Sequence, residues 1–192
     1  MTDCGEWPDE DPSTPVGGML NEWVGDTGFF PENVWIGVTI EDQPRAEERH
    51  QLVMKIPARV HFWSAEPLLE NIDALPLWEK HGEPDWVICG GESGPGARPM
   101  HPEWPRRLVN LCQAAGVAFF FKQWGEYVGD ADIHKGHEPN VLVHDGITVD
   151  QHGNAAALGY RLMYHVGKKS AGRLLHGREW NEFPRLETSC PH

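Results

Sequence analysis

Four charged residues recur along this chain, each where an apolar run ends: VWIGVTIE closes on Glu41, VHFWSAE on Glu66, WVICGGE on Glu92 and FFFK on Lys122. The intervals are 25, 26 and 30 residues, near the roughly 30 residues that one strand-helix-strand unit occupies. Three carboxylates and an ammonium could transfer protons, hold a cation or clamp a polar substrate. Clustered carboxylates raise one another's pKa and a lysine lowers it, so one set of residues can be tuned as acid and base. Any one of them could equally be a solvated loop charge or half of a salt bridge. Fourfold recurrence favours a shared site, because the ligand end of a parallel sheet is the carboxyl end of its strands. Glu41, Glu66, Glu92 and Lys122 are therefore the candidate catalytic residues.

The third run opens into Gly90-Gly91-Glu92-Ser93-Gly94-Pro95-Gly96, with Arg98 close behind. Glycines let backbone approach a ligand and offer amides to an anion. This is not the dinucleotide fingerprint, because Pro95, Pro99 and Pro102 prevent the loop from opening directly into a helix. Gly167-Lys168-Lys169-Ser170 ends like a phosphate-binding loop, but Leu162 stands where that loop needs its first glycine, so the reading fails. His134, His137, His144 and His152 lie within a short span. No zinc signature of matched Cys and His pairs accompanies them, which favours a solvated loop. Trp124, beside Lys122 and Gln123, is the one tryptophan assigned a possible stacking role.

These residues need a scaffold of alternating strands and helices. Asp42 can cap a helix that Pro44 starts and Pro57 stops. The second strand runs from Arg59 to Ala65, and Pro67 forces an extended exit after Glu66. The stretch from Leu68 to Asp85 carries little pattern. Between Pro102 and Ala115, apolar residues at Trp104, Leu108, Leu111, Cys112 and Ala115 fall on one helical face, with Gly116 just beyond. Past Tyr127 the pattern changes: Asp145-Gly146 between VLVH and ITV signals a tight hairpin. The tail VGKKSAGRLLHGREWNEFP is expected to pack back as a short helix and an extended arm. The predicted segments are an acidic, Pro/Gly-rich flexible stretch over 1–32, a (β/α) half-barrel over 33–127, and a hairpin with a basic, aromatic tail packing on the body over 128–192.

At 192 residues the chain suffices for one domain and falls short of the about 250 residues of a closed (β/α)8 barrel. Of the net charge of −13, residues 1–32 supply −8, from eight acids and no Lys or Arg. Such a chain lacks the basic stripe that sequence-independent nucleic-acid binding needs, though a nucleic-acid substrate held by local contacts stays open. Cys4, Cys89, Cys112 and Cys190 are widely spaced, which predicts reduced thiols and a cytoplasmic location. Neither a signal peptide nor a membrane span is expected.

At NVWIGVTIEDQ, FWSAEPLL, DWVICGGESGPGARPMHPEW, AGVAFFFKQWGEY and VGKKSAGRLLHGREWNEFP, the chain resembles the C-terminal part of the phage gp thirty-seven/gp sixty-eight family, also known by its three-Cys motif. Members of that family look like radical S-adenosylmethionine (radical-SAM) enzymes, with three loop cysteines holding an iron-sulfur cluster in a TIM-type barrel. The resemblance implies an α/β fold. The fold it implies is a partial TIM-type (β/α) barrel of about four parallel strands with intervening helices, plus a C-terminal β-hairpin and tail. It also implies that Glu41, Glu66, Glu92, Ser93, Lys122 and Gln123 face the barrel mouth, and that Gly90, Gly91 and Arg98 shape its loop. Gly90, Gly91, Ser93, Arg98 and Gln123 are thus the candidate cofactor-binding set, and no metal ligand is assigned. The chain departs from the family in having no three-cysteine loop before the first strand, and Cys4 alone cannot substitute for it.

The leading expectation is a truncated or split form of a radical-SAM-like phage protein of unknown substrate, with no cofactor in this chain alone. S-adenosylmethionine and an iron-sulfur cluster are implied for the full-length form. A half-barrel would leave two open edges and one uncovered apolar face, favouring an upstream half-barrel polypeptide or self-association. The alternative is a non-catalytic binding or assembly module that holds a small anionic ligand at its strand ends. A third reading is a cluster-independent acid-base enzyme using Glu92 and Lys122.

Overall fold

The computed structural model describes residues 30–129, 141–144 and 160–186. Its centre is a four-stranded parallel sheet in the order β1 (Ile36–Thr39), β2 (His61–Ala65), β3 (Trp86–Gly90), β4 (Ala118–Gln123). Three helices alternate with these strands: α1 (Gln43–Val53), α2 (Leu75–His81) and α3 (Glu103–Ala115). Four apolar runs ending in charge thus do form four parallel neighbours, in chain order.

The helices start and stop for local reasons. The Asp42 side chain caps α1 by accepting from the Arg45 amide at 3.0 Å, satisfying a donor the first turn would otherwise leave unpaired. Helix α2 lies in the stretch whose pattern is weak. Pro76 in its first turn and Gly82 after its end were the available signals. Helix α3 ends at Gly116, whose φ of 76° is left-handed, a conformation that favours glycine.

Strand alternation divides the sheet into two unlike faces. On one, Trp63, Ala65, Val87, Cys89, Phe119 and Phe121 are all fully buried and pack in one core with Ala46, Trp78, Leu108, Val109 and Cys112 of the helices. On the other, Phe62, Ser64, Trp86, Ile88 and Phe120 remain partly exposed. Both faces are apolar, as the unbroken runs require, yet only one is sealed by helices among the described residues.

The two edges of the sheet also differ. At β1, Gly37 and Thr39 are exposed, and the Thr39 carbonyl accepts from Arg49 Nη1. At β4, the C-terminal arm closes the edge: the Phe121 amide donates to the Trp180 carbonyl at 3.0 Å and the Glu182 amide to the Phe119 carbonyl at 3.1 Å. Of the two open edges expected of a half-barrel, the arm therefore removes one. Unpaired strand edges invite association, and an arm of the same chain is one way to blunt them.

A second sheet of three strands orders β5 (Tyr127–Gly129), β7 (Tyr160–His165) and β6 (Val141–His144), all antiparallel. The Asp145-Gly146 turn lies outside the described residues; β6 pairs with β7, beginning sixteen positions after His144 at Tyr160. The short helix of the tail is α4 (Lys168–Ala171). No helix among the described residues is long and apolar enough to cross a membrane.

Candidate functional site

The carboxyl end of β2 hands Glu66 to the rim of the exposed face, and β4 brings Lys122 to the same rim. Lys122 Nζ lies 3.2 Å from Glu66 Oε2, and Ser64 Oγ lies 3.4 Å from the same oxygen. Between them in the sheet sits Gly90. A Cβ there would stand 2.9 Å from Glu66 Oε1 and 3.5 Å from Lys122 Cβ, so its lack of a side chain makes room for the pair to span one strand. Lys122 is 53% exposed and Glu66 19%, which leaves the ammonium accessible to a ligand.

The other two glutamates are committed elsewhere. Glu41 pairs with Arg49 at 3.1 Å, across from α1. Glu92 is held by Arg98, which donates to it from its backbone amide at 2.7 Å and from Nε and Nη2 at 2.8 Å. These charge-assisted bonds hold the Glu92 carboxyl down at about 2. A carboxylate so stabilised anchors its loop and is a weak proton carrier near neutrality. The strand ends thus carry three local ion pairs, Glu41 with Arg49, Glu66 with Lys122 and Glu92 with Arg98, in place of one coupled quartet.

The glycine loop is built by close backbone contact. A Cβ on Gly91 would fall 2.0 Å from the Trp124 carbonyl oxygen, and the Gly91 amide donates to the Gln123 carbonyl at 2.9 Å. Gln123 acts here through its main chain, while Ser93 is exposed. Glu126, which the sequence does not single out, ties the loop to the tail by accepting from the amides of Gly94 at 2.9 Å and Lys168 at 3.1 Å. Trp124 does not stack on a ligand: its indole is buried at 2% exposure and donates to the Leu174 carbonyl at 2.8 Å. His134, His137 and His152 lie outside the described residues.

Among the described residues no cysteine stands at this rim. Cys89 and Cys112 are free and buried in the core, and burial pushes both thiols up. No group of three His, Cys, Asp or Glu side chains able to hold a metal ion occurs among the described residues. Two inward thiols cannot supply the ligand set of an iron-sulfur cluster, so the described residues do not fit one.

A protein-family model described as "Protein of unknown function (DUF5131)" matches residues 11–184. No curated protein and no solved structure matches the chain.

Proposed function

Given that the chain belongs to DUF5131, a family of unknown function matched over most of its length, we propose that the carboxyl ends of β1–β4 bind a polar substrate or ligand, contacted by Lys122 and Glu66. In this reading the four strands are the substrate-side arc of a radical-SAM-like (β/α) barrel of the phage type. One observation carries the proposal: an accessible Lys122–Glu66 pair, 3.2 Å apart, stands at the ligand end of a parallel sheet. The exposed apolar face and the end strand β1 support the barrel component, since further strands could add at that edge and curl over that face. The cluster cysteines and the S-adenosylmethionine chemistry they serve would come from outside residues 30–186, from an upstream half-barrel or an equivalent partner.

The test measures iron and S-adenosylmethionine binding by this chain with and without a polypeptide carrying the family's three-cysteine half. Co-purification, together with cleavage of S-adenosylmethionine under reducing conditions, supports the barrel component. Failure of the two to associate would sink it.

The non-catalytic alternative, a module holding a small anionic ligand at the same strand ends, is favoured by the 53% exposure of the Lys122 side chain. It predicts ligand binding that Lys122→Gln weakens, without any cofactor turnover in the presence of the partner.

A further inference from the structure

The exposed face of the sheet and the arm together form a second feature that no strand end contains alone. Trp35, Phe62, Trp86, Phe120 and Phe183 make a continuous aromatic floor, with ring centroids 4.9 to 6.2 Å apart. Phe183 arrives from the arm and is 57% exposed, although it lies on both Trp86 and Phe120. Monomeric proteins rarely leave contiguous apolar area uncovered without a use for it.

Two cations meet this floor at one end. Lys122 follows Phe120 by two positions and so lies on the same face. Arg173 reaches the same level from the arm. The Trp124 amide donates to the Gly172 carbonyl at 3.2 Å, and Arg173 Nη2 points to the Phe121 carbonyl at 3.5 Å, contacts that bracket Lys122 along the strand. The Arg173 guanidinium stands 5.1 Å from the centre of the Phe120 ring. Neither cation is tightly neutralised. Lys122 has Glu66 in an exposed pair, the kind that contributes little. Arg173 pairs loosely with Glu179, Nε to Oε2 at 4.0 Å, and its Nη2 donates to Asn181 Oδ1, while Nε is buried without a hydrogen-bond partner.

We propose that the floor and these two cations bind a ring-bearing anion, with a planar aromatic ring against Trp86 and Phe120 and the anionic group between Lys122 and Arg173. The proposal deepens the strand-end reading and rests on it. Local charge selects this occupant: Lys122 and Arg173 set two partly exposed cations where the floor ends, and an anion is what such a pair of donors complements. A phosphate or a carboxylate can supply the anion, and aromatic stacking with a cation nearby suits either.

The test is calorimetric titration of the full chain with adenosine monophosphate and with indole-3-acetate, against adenosine and inorganic phosphate as half-ligands. At least one of the two ring-bearing anions should bind about tenfold tighter than adenosine or phosphate, and which one does identifies the anion. Arg173→Gln and Phe183→Ala should each weaken that binding about tenfold or more, with unchanged thermal melting; Phe183→Ala leaves the arm's hydrogen bonds in place and covers the case in which Arg173→Gln disturbs it. Phosphate binding that is lost in Lys122→Gln and intact in both arm variants would overturn the ring-bearing anion and leave the strand-end site standing. No binding of any of the four probes, or a dimer dispersed by Phe183→Ala, would overturn the inference as well.

Discussion

At the scale of single residues, the two glycines of the third strand end carry opposite predictions. Gly90→Ala meets the tip of a flexible glutamate, 2.9 Å away, so Glu66 can swing aside. The expected result is a folded protein whose Lys122–Glu66 contact is broken, seen as altered ligand binding with nearly unchanged melting. Gly91→Ala meets backbone at 2.0 Å, which cannot yield cheaply, and should cost about 1–3 kcal/mol or more in denaturant unfolding. Titration separates three further residues. Glu92 is held at about 2 by Arg98, so its contribution to stability is present above its ordinary value of 4.5 and is lost as pH falls through the folded value. In Arg98→Ala its carboxyl resonance should titrate near the ordinary range. His50 is fully buried and accepts from the Trp63 indole at 3.1 Å, and burial lowers its pKa. Its neutral form therefore stabilises the fold above about 6.5, and that contribution declines as pH drops below this value. His61 runs the other way: its hydrogen bond to Asp85 raises its pKa, giving stability that is complete below about 6.5 and lost as pH rises through the folded value. Histidine ring NMR should place the His50 midpoint below 6.5 and that of His61 above it.

At the scale of elements, α1 depends on one capping side chain. Asp42→Ala leaves the first turn with an unpaired donor and should cost about 1 kcal/mol, measured by chemical denaturation. The arm depends on Trp180, which packs edge-on against Phe119 and donates to the Leu175 carbonyl at 2.8 Å. Trp180→Ala should cost about 3–5 kcal/mol and raise amide exchange along β4, whose outer hydrogen bonds run to residues 180 and 182. An arm that merely lay on the surface would leave β4 exchange unchanged.

At the scale of the whole molecule, the sheet has one sealed face and one aromatic face, one closed edge and one end strand. Arg49 partly guards that last strand by bonding the Thr39 carbonyl. Arg49→Ala frees both the carbonyl and Glu41. If strands add at β1, this variant should associate more readily with a cluster-bearing half in sedimentation experiments, whereas a loss of association would place the partner elsewhere.

The sequence alone determined the element order and the parallel pairing, because near-continuous apolar runs of strand length, repeated at even intervals with room for a helix between them, are the pattern of neighbouring parallel strands. It also determined which residues stand at the carboxyl ends of the strands, since strand length and direction fix that position. It did not reveal α2, whose apolar positions are too few to form a periodic face, nor the roles of Glu126 and Arg173. Which charges neutralise one another was beyond it, because Glu66 and Lys122 meet across 56 residues while Glu92 turns to an arginine only six away. Contacts of that kind depend on side-chain direction and on a glycine's missing Cβ, and these take shape only when the strands lie side by side. The same holds for the aromatic floor: alternation marks its residues as one face, but only the packing of helices and arm decides which face is covered.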